Sequence, residues 1–363
     1  MQQFQVKRSD FSNYQTVGGE SESGLSEGSV KLRVERFSFT ANNITYAVAG
    51  DFLKYWEFFP PVGDSELAWG VIPVWGFAEV VEGDVEGMAI GDRFFGYWPP
   101  ADHVIAKPEK VSGAGFQDAS PHRAELPPAY NNYRRVARRG SNDERADNEQ
   151  MLLFPLFLTG YLIAEQLNEF DWYGAERVLI LSGSSKTSLG LAYALGEFEG
   201  APSSVGLTSA GNKKFLESLQ VYGACEDYDN LEALNDGVKT TIVDMAGNSE
   251  LLGKLHTLLG DAMVKTVRVG MTHWDAPPAA EGVIEERSEM FFAPSRMIKL
   301  NKEWGREEFD KRTLGFVLNA AVRCRSWLQL LEVEGLEGLS GAYHDILHGR
   351  LDPSQGLVVV MPD

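Results

Sequence analysis

The pattern of hydrophobic and polar positions divides the chain into two parts. In the first part, short runs such as 30–37 and 73–81 alternate between apolar and polar side chains, and glycine and proline separate the runs. Alternation with a period of two residues is typical of half-buried β-strands. We therefore predict a β-rich unit over residues 30–150, with a polar insertion at 112–150. Residues 1–29, which include a stretch rich in glycine, serine and glutamate, are predicted to form a flexible segment.

Strands and helices alternate from residue 178 onward. The run 178–181 contains only apolar residues, which is expected of a strand buried on both faces, and 187–198 repeats its apolar residues with a helical period. Further strand-like and helix-like segments follow at short spacing, a pattern typical of a parallel sheet covered by helices. The predicted fold class is α/β, with a doubly wound nucleotide-binding domain over residues 151–305 and a C-terminal segment, 306–363, that returns to the first unit.

The composition excludes several partners. The chain carries 33 basic and 52 acidic residues, which give a formal net charge of −19. A field of this sign repels phosphate backbones and anionic lipid surfaces, so neither nucleic acid nor a membrane is expected as a partner. The longest apolar run, 151–164, is short for a membrane span, so we expect a core helix and a cytoplasmic protein. The two cysteines, Cys225 and Cys324, show no spacing typical of a metal site or a disulfide framework, so no metal is expected.

The strongest indication of a ligand is the turn that follows the strand at 178–181. There a buried strand passes directly into a helix, whose first amide groups have no partner within the helix and whose dipole is positive at this end. Such a turn accommodates a pyrophosphate. The residues predicted to bind it are Gly183, Ser184, Ser185, Lys186 and Thr187. The alternative is that small residues are common at strand–helix turns of any α/β protein, since the three-glycine fingerprint is incomplete here. The glycine spacing of a P-loop is absent.

The next strand predicts which dinucleotide binds. In proteins that bind NAD, a carboxylate near the end of this strand usually accepts a hydrogen bond from the ribose 2′-OH. The segment 208–214 contains no carboxylate and offers Ser209, Asn212 and Lys213, which would attract a 2′-phosphate. NADPH is therefore favoured over NADH. The alternative is that the lysines of this segment are solvated residues at the start of a helix.

The order of these parts resembles the medium-chain dehydrogenase/reductase superfamily. The segment 90–96 is similar to a Gly-Asp-Arg turn of the superfamily, and 155–162 resembles the stretch that leads into its nucleotide domain. The segment 343–353 resembles its terminal helix. Three further segments, which resemble a branch of the superfamily known mainly as a domain of unknown function, are 130–133, 184–187 and 292–294.

This resemblance implies a GroES-like first unit, a Rossmann second unit and an oxidoreductase that uses NADPH. In zinc-dependent members, a Gly-His-Glu motif supplies a metal ligand, whereas the comparable stretch here, 75–78, has no ligand atoms. The chain therefore resembles the zinc-independent quinone and enoyl reductases, which implies hydride transfer to a small apolar carbonyl, enone or quinone-like substrate. Members of the superfamily often form homodimers through the sheet edge of the nucleotide domain, so a homodimer is one expectation for the assembly.

Candidate catalytic residues follow from the same resemblance. In zinc-independent relatives, a segment that corresponds to 40–46 approaches the nicotinamide. Tyr46 is therefore the candidate donor of a proton or hydrogen bond, and Asn43 is the candidate that orients the substrate. Tyr130, which lies in the polar insertion, is a third candidate.

Two more candidates, Gly270 and Thr272, follow a predicted strand and would flank the nicotinamide, since ligands bind beyond the carboxyl ends of such strands. Each catalytic candidate has a structural alternative: Asn43 caps a helix, Tyr46 packs in a core, and Tyr130 anchors a loop. For the whole chain, the alternative is a catalytically silent nucleotide-binding or interaction protein on the same fold.

Overall fold

The computed structural model describes residues 1–19, 25–63, 68–140, 143–269 and 281–363. Contacts within these residues divide the chain into two compact units. The first unit comprises Met1–Leu152 and Leu328–Asp363, and the second unit comprises Leu153–Trp327. The C-terminal segment therefore rejoins the first unit at Leu328 and not at the predicted residue 306.

Strands and helices were assigned over the described residues. The strands are β1 (Gln2–Lys7), β2 (Asp10–Gly18), β3 (Val30–Phe39), β4 (Trp69–Gly70), β5 (Val74–Gly83), β6 (Arg93–Trp98), β7 (His103–Ala106), β8 (Pro108–Ser112), β9 (Gly115–Asp118), β10 (Asn132–Val136), β11 (Arg177–Leu181), β12 (Ser203–Thr208), β13 (Ala224–Asp227), β14 (Thr240–Asp244), β15 (Met263–Arg268), β16 (Ser288–Met290), β17 (Gln329–Glu334) and β18 (Gln355–Val360). The α-helices are α1 (Ala41–Val48), α2 (Glu144–Glu169), α3 (Lys186–Leu195), α4 (Ala210–Leu219), α5 (Ser249–Leu259), α6 (Ala293–Trp304), α7 (Arg306–Cys324) and α8 (Gly335–Leu347).

Mainly antiparallel pairing builds the sheets of the first unit. The larger sheet runs in the order β17-β18-β3-β5-β6-β10-β9-β8, and β7 also pairs with β3. The terminal strands β17 and β18 pair in parallel, and β18 pairs antiparallel with β3, which places Leu357 opposite Phe39. The last strands of the chain therefore complete a sheet that the first part of the chain begins.

The N-terminal residues form a hairpin where the sequence predicted a flexible segment over 1–29. Strands β1 and β2 pair antiparallel, and β4 extends this small sheet. The side chains of Phe4 and Val6 are fully buried, and Phe4 packs on Tyr343 of α8 with ring centroids 5.2 Å apart. Burial of these alternating apolar residues stabilises the hairpin. The sequence analysis missed this hairpin because the glycine- and glutamate-rich stretch that follows it predicted flexibility for the whole segment.

The sheet of the second unit is parallel at each junction of its described strands. Its order is β13-β12-β11-β14-β15-β16. Numbered along the chain, this is the order 3-2-1-4-5-6 that sheets of dinucleotide-binding domains adopt. The chain adds strands in one direction from β11 to β13 and in the other direction from β14 to β16. The carboxyl ends of β11 and β14 therefore mark the switch point at which such sheets bind ligands. The predicted α/β class with a doubly wound sheet is confirmed.

Packing among helices explains where the second unit ends. The ring of Phe316 in α7 lies 5.2 Å from that of Tyr161 in α2, centroid to centroid. A Cβ added to Gly160 would lie 2.3 Å from the backbone nitrogen of Leu191, so glycine is what permits α2 and α3 to touch. Because α7 packs on this helix layer, it stays in the second unit, and only β17, α8 and β18 return to the first.

Helix α2 is, among the described helices, the one that is long and apolar enough to cross a membrane by length and composition. However, 67% of its most apolar window is buried within the protein. The side chains of Leu152, Phe157 and Ile163 are fully buried. The run 151–164 therefore forms part of a core helix, as predicted.

Candidate functional site

The turn between β11 and α3 lies at the carboxyl end of a central strand of the second unit's sheet. The amide of Gly183 donates a hydrogen bond to Leu207 O at 2.8 Å, which holds the turn against β12. A Cβ at Gly183 would lie 2.9 Å from Leu216 Cδ2 and 3.1 Å from Gly206 Cα. A larger residue does not fit there without a shift, and the absence of a side chain lets α3 begin close to the sheet.

The two serines of the turn have different roles. Ser185 is the N-cap of α3: its Oγ accepts from the amide of Ser188 at 3.2 Å, and its O–H donates to Ser188 Oγ at 2.9 Å. Ser184 Oγ instead accepts from Thr208 Oγ1 at 3.0 Å and from Asn212 Nδ2 at 3.1 Å. A hydroxyl offers two acceptor positions and one proton, so these two hydrogen bonds leave the Ser184 proton available to a further acceptor.

Lys186 and Thr187 form the first turn of α3 and are half-buried. The first amides of an α-helix have no carbonyl partners within the helix, and the helix dipole is positive at this end. The structure therefore brings the five predicted residues of 183–187 into one turn. Its backbone amides and the Ser184 hydroxyl are donors that suit a phosphate group without a cationic side chain.

The residues predicted to bind a 2′-phosphate lie at the end of β12 and in the first turn of α4. Ser209 is the exposed N-cap residue of α4, and its side chain makes no capping hydrogen bond to the helix. Asn212 donates to Ser184, which links this region to the glycine turn. Thr208, whose hydroxyl completes the network, is a residue that the sequence analysis did not single out. Its position at the end of a predicted strand is the one sequence feature that could have identified it as a site residue.

Lys213 is paired with two carboxylates of the neighbouring strand. Its Nζ lies 3.0 Å from Glu226 Oε2 and 3.5 Å from Asp227 Oδ2. The hydrogen bond that Lys213 donates to Glu226, together with the negative charges, raises the pKa of Lys213, so the amine stays cationic. The segment 208–214 has no carboxylate of its own, but parallel pairing of β12 with β13 brings these two beside it. This juxtaposition depends on strand register, which the sequence does not reveal.

Gly270 and Thr272, the residues predicted to flank a nicotinamide, lie outside the described residues. Strand β15, which precedes them, ends at Arg268. The amide of Val269 then donates to Asp244 O of β14 at 2.9 Å. The chain therefore leaves β15 at the carboxyl edge of the sheet, beside the end of β14.

In the first unit, Asn43 is tied into the start of α1. Its Oδ1 accepts from Thr40 N at 2.7 Å and from Thr40 Oγ1 at 3.1 Å, and its Nδ2 donates to Pro73 O at 2.8 Å. The side chain is buried and forms a capping box with Thr40. Its acceptor oxygen is committed to the fold. This arrangement matches the helix-capping alternative and leaves no acceptor position with which to orient a substrate.

Tyr46 and Tyr130 belong to one tyrosine cluster, which consists of Tyr46, Tyr55, Tyr97 and Tyr130. The ring of Tyr46 lies 4.7 Å from that of Tyr55 and 5.6 Å from that of Tyr97, centroid to centroid. The hydroxyls of Tyr55 and Tyr130 share a hydrogen bond of 3.0 Å, and Trp75 Nε1 donates to the Tyr46 hydroxyl at 3.3 Å. The structure therefore brings two of the three predicted catalytic residues together. Tyr55 and Tyr97 carry no sequence signal that sets them apart from other aromatic residues.

Burial keeps the phenols of the tyrosine cluster protonated. Removal from solvent raises the pKa of Tyr46, and it raises that of Tyr97 well above the ordinary value. At neutral pH each phenol is therefore a hydrogen-bond donor and not a phenolate. The hydroxyl of Tyr97 has no hydrogen-bond partner among the described residues. Protonated donors in apolar surroundings can stabilise negative charge that develops on a carbonyl oxygen.

The described ranges contain no group of three or more His, Cys, Asp or Glu side chains arranged to hold a metal ion. Cys225 is half-buried and Cys324 is buried, and the two thiols form no disulfide with each other.

A family model described as "Protein of unknown function (DUF2855)" matches residues 37–352. No curated protein matches the chain. The matched segment includes the tyrosine cluster and the 183–187 turn, so both candidate sites lie inside the family's common region.

Solved structures match the whole chain at low identity. CurA of Vibrio vulnificus in complex with NADPH is 12% identical, with a TM-score of 0.65 and coverage of 100% of both chains. The quinone oxidoreductase of Thermus thermophilus, also solved in complex with NADPH, is 16% identical, with a TM-score of 0.54 and coverage of 99% of this chain and 100% of that chain. The CurF ER cyclopropanase of the curacin A biosynthetic pathway is 14% identical, with a TM-score of 0.59 and 99% coverage of both. These likenesses show that the chain shares the fold of these proteins, and the predicted fold class is confirmed.

Proposed function

The chain belongs to the DUF2855 family, and from that premise we propose that it is an NADPH-dependent, zinc-independent oxidoreductase. Its substrate is a small apolar carbonyl, enone or quinone-like compound. The observation that carries the proposal is the turn at 183–187, where a close-packed glycine, the start of α3 and the Ser184 hydroxyl offer donors at the switch point of the sheet. NADPH in the solved structures of similar fold supports the choice of cofactor.

The second unit would hold the dinucleotide through donors of two kinds. The backbone of 183–187 and the O–H of Ser184 bind the pyrophosphate, while the Ser185 hydroxyl stays in the helix cap. Ser209, Asn212 and Lys213 bind the 2′-phosphate. Gly270 and Thr272, which lie outside the described residues, are proposed from the sequence alone to flank the nicotinamide. When bound, NADPH supplies a hydride.

The first unit would supply the proton donor. A carbonyl carbon that accepts a hydride leaves negative charge on its oxygen, and a protonated phenol stabilises that charge and donates a proton. Tyr46 is the proposed donor, because burial keeps its phenol protonated and the indole of Trp75 holds its hydroxyl in place. Tyr130 supports this role through the shared packing of the cluster on Tyr97, with ring centroids 4.6 Å apart.

Fluorescence titration tests the binding half of the proposal. Wild-type protein is expected to bind NADPH, and Ser184→Ala should weaken NADPH binding by about tenfold or more, since a hydrogen bond to a charged group contributes roughly 1.5–3 kcal/mol. Ser218→Ala is the matched control, because its hydroxyl donates to Phe215 O within α4. Absence of binding by both NADPH and NADH would refute the proposal. Loss of affinity that is equal in Ser184→Ala and the control would remove Ser184 from the site.

Turnover tests the catalytic half. NADPH oxidation is followed with a panel of enones, quinones and simple carbonyls. Because Tyr46 is the proposed proton donor, Tyr46→Phe should lower kcat by about 100-fold and leave the affinity for NADPH unchanged. Tyr343→Phe, a buried tyrosine outside the cluster whose hydroxyl donates to Phe11 O, is the control. If NADPH binds but no compound in the panel is reduced, the catalytically silent nucleotide-binding protein is the correct alternative.

A further inference from the structure

The ion pairs of Lys213 set a limit on how well the second unit can attract a 2′-phosphate. Glu226 and Asp227 lie 3.0 Å and 3.5 Å from the Lys213 amine, and one lysine charge therefore faces two carboxylates. The three side chains are only 26%, 24% and 18% exposed, in the order Lys213, Glu226 and Asp227. Solvent screens such half-buried charges less than fully exposed ones.

The position of the carboxylates is fixed by the sheet. Parallel pairing places Leu207 opposite Glu226 and Thr208 opposite Asp227, so both acidic residues end β13 beside the end of β12. The amide of Tyr228 donates to Thr208 O at 3.0 Å, which continues the pairing beyond the strand. The backbone of both acidic residues is therefore held next to the segment that carries the predicted 2′-phosphate ligands.

Glu226 is held more firmly than a single ion pair would hold it. Its Oε2 accepts from Lys213 Nζ at 3.0 Å and from Asn230 Nδ2 at 3.3 Å. Lys213 cannot turn fully toward a phosphate without leaving this acceptor. A 2′-phosphate carries nearly two negative charges and would be repelled by a carboxylate beside it, whereas the uncharged ribose 2′-OH of NADH would not.

We infer that Glu226, assisted by Asp227, determines nucleotide selectivity by restraining Lys213 and by placing negative charge beside the 2′ position. The inference rests on the proposed function. It predicts that the wild-type preference for NADPH over NADH is smaller than an unrestrained Lys213 would give, and that removal of the Glu226 charge increases this preference. A purely structural ion pair would change stability and leave the ratio of the two affinities unchanged.

The test measures Kd for NADPH and for NADH in the wild-type protein, Glu226→Gln, Lys213→Met and the double variant. Glu226→Gln should raise the preference for NADPH about five- to tenfold, and this gain should vanish in the double variant because Lys213 is the group that is released. Glu250→Gln is the matched control: it also removes one negative charge from a lysine pair, with Lys254 at 2.7 Å, but in α5. It should leave the ratio within about twofold, because it lies on another element and is screened by solvent.

The outcomes distinguish failure of the proposed function from failure of the inference about Glu226. If neither nucleotide binds to the wild-type protein, the proposed function fails and the inference fails with it. If both bind and Glu226→Gln changes the two affinities by the same factor, or changes neither, only the inference is overturned. If Glu250→Gln shifts the ratio as much as Glu226→Gln does, the effect is one of net charge, and the inference is overturned as well.

Discussion

The protonation of His256 offers a sharp test of how the second unit is held together. The imidazole, on α5, is 1% exposed. Its Nδ1 accepts from the amide of Ile284 at 2.9 Å, and its Nε2 lies 2.8 Å from Thr266 Oγ1. Only the neutral ring with its proton on Nε2 satisfies both contacts, because a proton on Nδ1 would face the Ile284 N–H.

The folded protein therefore resists protonation of this histidine. Burial, followed by the charges of Arg268 and Arg287, lowers the pKa of His256 from 6.5 to about 4. Since the unfolded chain takes up the proton first as the pH falls, the stabilisation is complete above pH ~6.5 and is lost progressively toward pH ~4. Linkage between these two values gives a loss of about 2 kcal/mol in the free energy of unfolding from pH ~7.5 to pH ~5.

Urea unfolding at these two pH values measures the loss, with His256→Gln as the reference. Glutamine has one acceptor and one donor group but does not titrate, and all other titrating groups are common to both proteins. The difference in unfolding free energy between wild-type protein and variant should therefore shrink by about 2 kcal/mol on acidification. A difference that is the same at both pH values would show that His256 is not held neutral, and would refute the assigned hydrogen bonds.

Three further substitutions test packing and hydrogen bonding by thermal unfolding. Gly160→Ala should destabilise the protein by about 3 kcal/mol, because its Cβ would lie 2.3 Å from Leu191 N; an unchanged Tm would contradict the close contact of α2 and α3. Tyr97→Phe should be neutral or raise the unfolding free energy by up to ~1 kcal/mol, because it removes a buried hydroxyl that has no partner among the described residues. Tyr133→Phe should instead cost roughly 1–3 kcal/mol, since its hydroxyl accepts from Arg123 and donates to Tyr97 O, both at 2.7 Å. Equal effects of the two tyrosine substitutions would contradict this assignment.

The alternation of strands and helices predicted the second unit well because each element there follows its own local pattern. The run at 178–181 is apolar throughout and is fully buried in the sheet. The first unit was harder, since the N-terminal hairpin gains stability from contacts such as that of Phe4 with Tyr343, which are far apart in sequence. The end of the second unit was misplaced for a similar reason, because the packing of Phe316 on Tyr161 decides it.

The candidate sites show the same division between local and long-range information. That 183–187 forms a glycine turn follows from its neighbours in sequence, but Ser184 and Ser185 are chemically identical, and only the register of α3 decides which of them caps the helix. Likewise, the absence of a carboxylate from 208–214 is a correct statement about that segment. This absence alone does not predict the charge around Lys213, because Glu226 lies on another strand, β13, and pairs with the lysine.

The turn at 183–187 and the paired Lys213 explain how a chain with a net charge of −19 could bind the polyanionic cofactor that we propose. Long-range attraction is unfavourable for such a protein, so binding must rely on donors that act at contact distance. Amides at the start of α3 and the Ser184 hydroxyl are of this kind, because they are oriented by hydrogen bonds within the fold and carry no net charge. Lys213 adds a cation whose charge is already balanced by two carboxylates. Binding at this turn should therefore depend on the geometry of neutral donors. We expect added salt to lower the affinity for NADPH much less than it lowers the affinity of a lysine-rich site for a phosphate ligand.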